Sequence, residues 1–183
     1  MRKIKTVLAI LIIISLATAF TGCVEDEEDD DDHGEITSIE ANVSVVDGEG
    51  ESSFKARNLH HSEFDFVMDR TMEDGYSDTS IYNREREAFF QSDPGIEDIW
   101  YRYEDMAALQ GANTHWNNIE MIVEEIEERS TTDDFKFQET DAEGITHTFS
   151  VTNIRVNHNI PDDFFFPPDG VEIIDADPGD MPR

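Results

Sequence analysis

The sequence predicts an α+β domain: a curved, half-barrel-like antiparallel sheet with one main α-helix packed on its concave face. Two observations predict it. Short segments of alternating apolar and polar residues, broken by Gly-, Asp- and Pro-containing turns, recur over residues 37–103 and again over 135–156. That alternation is the period-two signature of half-buried strands. Between the two blocks the period changes once, to helical spacing.

The first strand is the clearest. Thr37, Ile39, Ala41, Val43 and Val45 share one face, while Ser38, Glu40, Asn42 and Ser44 share the other. Asp47-Gly48-Glu49-Gly50 turns the chain, and Phe54 and Ala56 continue it as a second strand. Phe64, Phe66 and Met68 alternate as a third. Residues 80–82 and 88–90 make a hairpin about residues 83–87. After the turn Ser92-Asp93-Pro94-Gly95, residues 99–103 form a strand with aromatics on both faces.

Trp116, Ile119, Ile122, Val123 and Ile126 then recur at helical spacing, with five glutamates between and beyond them. Thr114 as N-cap and Arg129 in the last turn bound a helix over residues 114–129, with Met106 to Leu109 a candidate for one more turn ahead of it. Phe135 and Phe137 open the next strand, and Ile145, His147, Phe149 and Val151 the one after it. Ile154 and Val156 are out of step by one residue, which predicts a bulge near Thr152-Asn153.

Ahead of this domain stands a different kind of sequence. Residues 1–22 join a basic start, Arg2, Lys3 and Lys5, to an apolar run that ends in Thr21-Gly22. The run is shorter than the roughly 20 residues a spanning helix needs, and it reads as an export signal. Cys23, the single cysteine of the chain, follows it directly. This resembles the lipobox of prokaryotic lipoproteins, in which the signal is cut ahead of the cysteine and the thiol is acylated. The resemblance implies a mature chain anchored to the cell membrane on its outer side by a lipid on Cys23. Residues 23–34 contain eight consecutive acids, Glu25 to Asp32. With no apolar surface and strong self-repulsion they form an extended tether. The domain proper spans residues 35–175, and residues 176–183 form a loose tail.

Charge excludes whole classes of function. The chain carries 43 Asp plus Glu against 13 Lys plus Arg, a net charge of −30. Such a surface repels phosphate backbones, so nucleic acid is not a partner. From residue 35 onward 35 acids face 10 bases, and only Lys55 and Lys136 are lysines. That excess fits a salt-rich exterior, where counterions screen the repulsion. One cysteine leaves no internal disulfide and no Cys-rich zinc site.

Chemistry-bearing motifs are absent. There is no Gly-rich phosphate loop, nucleophile elbow or HExxH helix, so no catalytic residue, metal or cofactor is assigned. His60, His61, Glu63 and Asp65 are close in sequence. On a strand, however, the two histidines would point to opposite faces. Asn42-Val43-Ser44 is a glycosylation sequon on the polar face of its strand. The 18 aromatic residues are more suggestive. They build a core, or some of them line a groove between a curved sheet and its covering helix. In the second case the ligand is apolar, and Phe64, Phe66, Met68, Trp100, Trp116, Ile119, Val123 and Ile126 face it.

Two stretches resemble a known family. Ile99-Trp100-Tyr101-Arg102-Tyr103 with the preceding tyrosine hairpin is similar to a segment of LolA/LolB-like outer-membrane lipoprotein-sorting (lipoprotein carrier) proteins. Residues 152–157, then Ile160-Pro161-Asp162-Asp163-Phe164 and Phe166-Pro167-Pro168-Asp169-Gly170, resemble their C-terminal signature. The resemblance covers roughly residues 36–175 and points to a reduced, lipid-anchored relative of archaeal type. It implies a half-barrel with an apolar cavity under helix, a short closing strand, and non-catalytic binding of a lipid or acyl chain. The competing expectation is an extracytoplasmic structural or protein-interaction module whose interior is full.

Overall fold

The computed structural model describes residues 34–45, 50–72, 75–140 and 144–177. The expected leader, Cys23 and the run of acids lie outside them, as does most of the expected tail. The described chain forms one open nine-stranded sheet and one long helix. The strands are β1 (Ser38–Val45), β2 (Glu51–Arg57), β3 (Asp65–Thr71), β4 (Ser77–Asn83), β5 (Ala88–Ser92) and β6 (Ile99–Glu104). Helix α1 (Asp105–Arg129) follows, then β7 (Phe135–Thr140), β8 (Thr146–Val156) and β9 (Glu172–Asp175). Their order across the sheet is β7-β8-β1-β2-β3-β4-β5-β6-β9. No helix among the described residues is long and apolar enough to cross a membrane.

The α+β architecture matches the expectation, with two refinements. Every neighbouring pair is antiparallel except β6 and β9, which are parallel. After β8 the chain returns along the convex face and joins the far edge running with β6, so the sheet is mixed. The helix is also longer than the large apolar residues indicated, beginning at Asp105 rather than residue 114. Its extra turns bury Ala107, Ala108 and Ala112. Alanine favours helix and lets its backbone approach a sheet closely, and α1 runs closest to β5 and β6.

That length fits its task. From β6 to β7 the order crosses seven inter-strand steps, about 34 Å at roughly 4.8 Å each. Twenty-five helical residues span about 37 Å. One helix therefore carries the chain from one side of the sheet to the other.

Register fixes which residues meet α1. Ala41 to Phe54, Phe54 to Met68, Phe66 to Tyr82 and Phe89 to Tyr103 are direct cross-strand partners. Alternation then places them all on the concave face. The bulge falls where the sequence predicted it: the β1–β8 register shifts between Glu40 and Asn42. Asn153 there takes a positive φ of 56°, and its N–H donates to Asp134 Oδ1 at 3.0 Å. Gly50 is needed at the start of β2, since φ is +95° and a Cβ would lie 2.6 Å from the Thr71 carbonyl oxygen.

The convex face holds a second, smaller core. Val67, Ile81, Ala88, Phe90 and Trp100 are covered by Ile160 and Phe165 of the segment between β8 and β9. Three cations clamp that segment: Lys55 lies 5.1 Å from the Phe164 ring, Arg57 4.3 Å from Phe165 and Arg86 4.5 Å from Phe166. Arg57 also pairs with Asp162 and, at 2.9 Å, with Asp65. The buried Asp65 carboxylate further accepts from Asn58 Nδ2 and the Arg84 backbone N–H.

Candidate apolar binding site

Six of the eight residues expected to face a ligand lie in the concave core. Phe66 and Met68 reach it from alternate positions of β3, and Phe64 from just before that strand. Trp116, Ile119 and Ile126 descend from α1. They meet closely. The Trp116 indole N–H donates to the Phe64 carbonyl at 2.9 Å, and its ring stands edge-on to Tyr82 at 4.7 Å. Phe66 packs 5.2 Å from the His115 ring, and Phe89 lies 6.0 Å from the same imidazole. Phe64, Phe66, Ile119 and Ile126 are at most 1% exposed. This end of the interface is filled by side chains. Burial here pushes the Tyr82 hydroxyl up to about 12, with the nearby Glu63 carboxylate adding to the shift.

The other two expected residues sit elsewhere. Val123 is half-buried at the margin of the core. Trp100 points to the convex face and belongs to the second core. Strand alternation is the reason. Tyr103 pairs with Phe89 on the concave side, so Trp100, three positions away, must point the opposite way.

A gap remains beneath the middle of α1, toward the Val45 end of β1 and the Arg70 end of β3. It has a volume of about 130 Å³. Val43, Phe54, Phe149, Met121 and Ile122 give it apolar walls, and Arg70, His115, Thr114 and Asn118 a polar end. Met68, one of the eight expected residues, also lines it; the sequence assigned none of the others to a site. A signal existed for Arg70, which continues the Phe66, Met68 alternation onto the same face. The gap itself had none, because it depends on how far α1 stands from β1 and β8.

The polar end is organised. Arg70 Nε donates to Asp78 Oδ1 at 2.9 Å, Nη2 bonds Oδ2, and Gln91 Nε2 also donates to Oδ2 at 3.2 Å. Asp78 is 4% exposed, so its charge is held by this fork. His115 Nδ1 lies 3.2 Å from Met68 Sδ. Burial, with the Arg70 charge adding to it, pushes the imidazole down to about 4, and Asp78 opposes the shift. His115 is therefore neutral near pH 7. Its ring faces sulfur and aromatic carbon rather than a hydroxyl, so it is not poised as a base beside a nucleophile.

His60 and His61 lie on a turn, not a strand, and their rings are 4.0 Å apart. They are thus adjacent, contrary to the alternation expected of a strand. Asp65 is committed to Arg57, Asn58 and Arg84. Among the described residues no group of three or more His, Cys, Asp or Glu side chains is disposed to hold a metal ion.

A second, larger opening lies on the convex face. It measures about 640 Å³, between the sheet and the segment that precedes β9. Val67, Ile81 and Trp100 form its floor.

No protein-family model matches this chain, and no curated protein matches it significantly.

Proposed function

We propose that this is a non-catalytic binding module, held at the outer side of the cell membrane by a lipid on Cys23. Its ligand is an apolar chain, a lipid or acyl group, that enters between α1 and the concave face. The observation that supports this reading is the gap left between the middle of α1 and the sheet, with Val43, Phe54, Phe149, Met121 and Ile122 as apolar walls. Each methylene buried there contributes about 0.8 kcal/mol. The resemblance to lipoprotein carriers favours the same ligand class.

The gap of about 130 Å³ is smaller than the roughly 300 Å³ at which small-molecule sites begin. A chain must therefore displace Met121 and Phe149, both only half-buried. Met121 suits this, since an unbranched thioether adapts readily. The competing reading, an interaction module with a full interior, draws support from the complete burial of Phe64, Phe66, Ile119 and Ile126.

Fluorescent fatty-acid displacement and native mass spectrometry separate the two. Wild type should bind fatty acid reversibly. Met121→Trp should fill the gap and abolish binding while stability changes by less than about 1 kcal/mol. Ile119→Trp, at the filled end, should cost about 1–3 kcal/mol. Absence of fatty-acid binding by wild type, with destabilisation by both variants, rejects the carrier reading and leaves the full-core module.

A further inference from the structure

The convex-face opening is independent of the gap under α1 and differs from it in size and charge. Its volume of about 640 Å³ falls within the roughly 300–1,000 Å³ of small-molecule sites. Trp100, Val67 and Ile81 give it an apolar floor. Phe164, Phe166, Pro167 and Pro168 wall it from the other side. Asp69, Asp163 and Asp169 line it as well. Among the described residues no cation forms an ion pair with any of these three carboxylates; Asp69 accepts only the Thr79 hydroxyl, at 2.6 Å. The cleft thus joins aromatic and apolar surface to uncompensated negative charge.

The segment that walls it already shows the chemistry it accepts. Three consecutive phenylalanines, Phe164, Phe165 and Phe166, each lie beneath a cation of this chain. Aromatic faces attract ammonium and guanidinium groups, most strongly where water is excluded. A neutral apolar ligand would gain nothing from the three exposed carboxylates, and an anion would be repelled. An inorganic cation would gain nothing from the floor.

We propose that this cleft binds a small organic cation with an apolar body, of the aryl- or alkylammonium class. The ammonium sits among Asp69, Asp163 and Asp169, and the apolar body lies on Trp100 and against the two prolines. Asp163 and Asp169 are exposed and, among the described residues, take part in no ion pair, so they select the ligand with little effect on the fold.

Isothermal titration calorimetry with benzyltrimethylammonium, whose charge cannot be titrated away, tests this at low and physiological salt. The expected result is one saturable site, weakened by salt, with nuclear Overhauser contacts from the probe to the Trp100 indole. Benzyl alcohol and tetramethylammonium should each bind at least tenfold more weakly. The double variant Asp163→Asn with Asp169→Asn should lose about tenfold in affinity and keep its melting temperature. A remote double variant, Glu124→Gln with Glu128→Gln, should bind as wild type does. No binding, equal binding of benzyl alcohol, or equal losses in the two double variants would overturn the proposal. So would binding confined to a lysine-bearing peptide, which would mark a protein-docking surface instead.

Discussion

The two faces of the sheet are covered by different devices, and they end up differently packed. On the concave face a helix of about the sheet's own width lays Ala107, Ala108 and Ala112 near β5 and β6 and larger side chains beyond them. Aromatic rings interlock beneath it and leave a small gap of about 130 Å³ under its middle. On the convex face a short segment does the covering, irregular apart from one 3-10 turn at Asp162–Phe165. It buries Ile160 and Phe165, holds on through cations stacked on its phenylalanines, and leaves a wide cleft beside them. A regular element satisfies its own backbone and can therefore seal a surface. An irregular one has to be pinned side chain by side chain, and it seals only where it is pinned.

The sharpest way to break this contrast is to remove one buried ring from each side. Phe66 and Phe165 are both 0% exposed. Phe66→Ala should cost about 3–5 kcal/mol, toward the upper end, because strands and helix hold the cavity open. Phe165→Ala should fall toward the lower end, since the closing segment can collapse into the space. Urea melts give the two values. Native-state hydrogen exchange should show protection lost across the domain for Phe66→Ala, but chiefly in β9 and its approach for Phe165→Ala. Equal costs with equally global loss would show that the convex segment is as integral as α1.

A second difference is electrostatic, since the concave core buries a histidine. An unfolded His115 titrates near 6.5, whereas the folded one is pushed down to about 4 by burial and Arg70. The unfolded chain therefore binds a proton that the folded chain refuses between those values. Stability should be full above about pH 6.5 and fall as pH drops toward 4, by about 3 kcal/mol in total. His115→Phe keeps a ring beside Phe66 and Phe89 but cannot titrate. Denaturation of both proteins from pH 7.5 to 4 would isolate the histidine from the many carboxylates that they share. Curves that fall in parallel would show that His115 is not held neutral in the folded protein.

How much of this was legible in the sequence follows from the range of the contacts. Period-two alternation marked β1 and β3 because one side of each strand is buried and the other is not. The Trp116, Ile119, Ile122, Ile126 stripe marked the second half of α1 for the same reason. Its first half was legible only as a separate turn at Met106 to Leu109, because alanines carry its buried face and alanine adds little to an apolar pattern. Trp100 was read onto the wrong face, since a strand with aromatics on both sides gives no sign of which meets the helix. The gap and the cleft were both unreadable. One depends on the standoff of α1 from β1 and β8. The other is walled by residues 163–169 folding back on β3, β4 and β6, across more than sixty positions of chain.

The finest test of the contrast concerns the pins themselves. Arg86 lies 4.5 Å from the Phe166 ring and is otherwise exposed, whereas Arg57 also bonds Asp65 and Asp162. Arg86→Gln removes a cation–π contact and little else. An exposed contact of this kind contributes about 0.5–1 kcal/mol, so the global melt should move by no more than that. The local effect should be clearer. If the closing segment is held side chain by side chain, exchange protection should drop around Phe166 and remain normal around Phe165, which Arg57 still covers. A drop spread evenly over the whole segment would mean that it docks as one cooperative unit. The convex cover would then resemble the helix after all, despite having only one short 3-10 turn as a hydrogen-bonded frame.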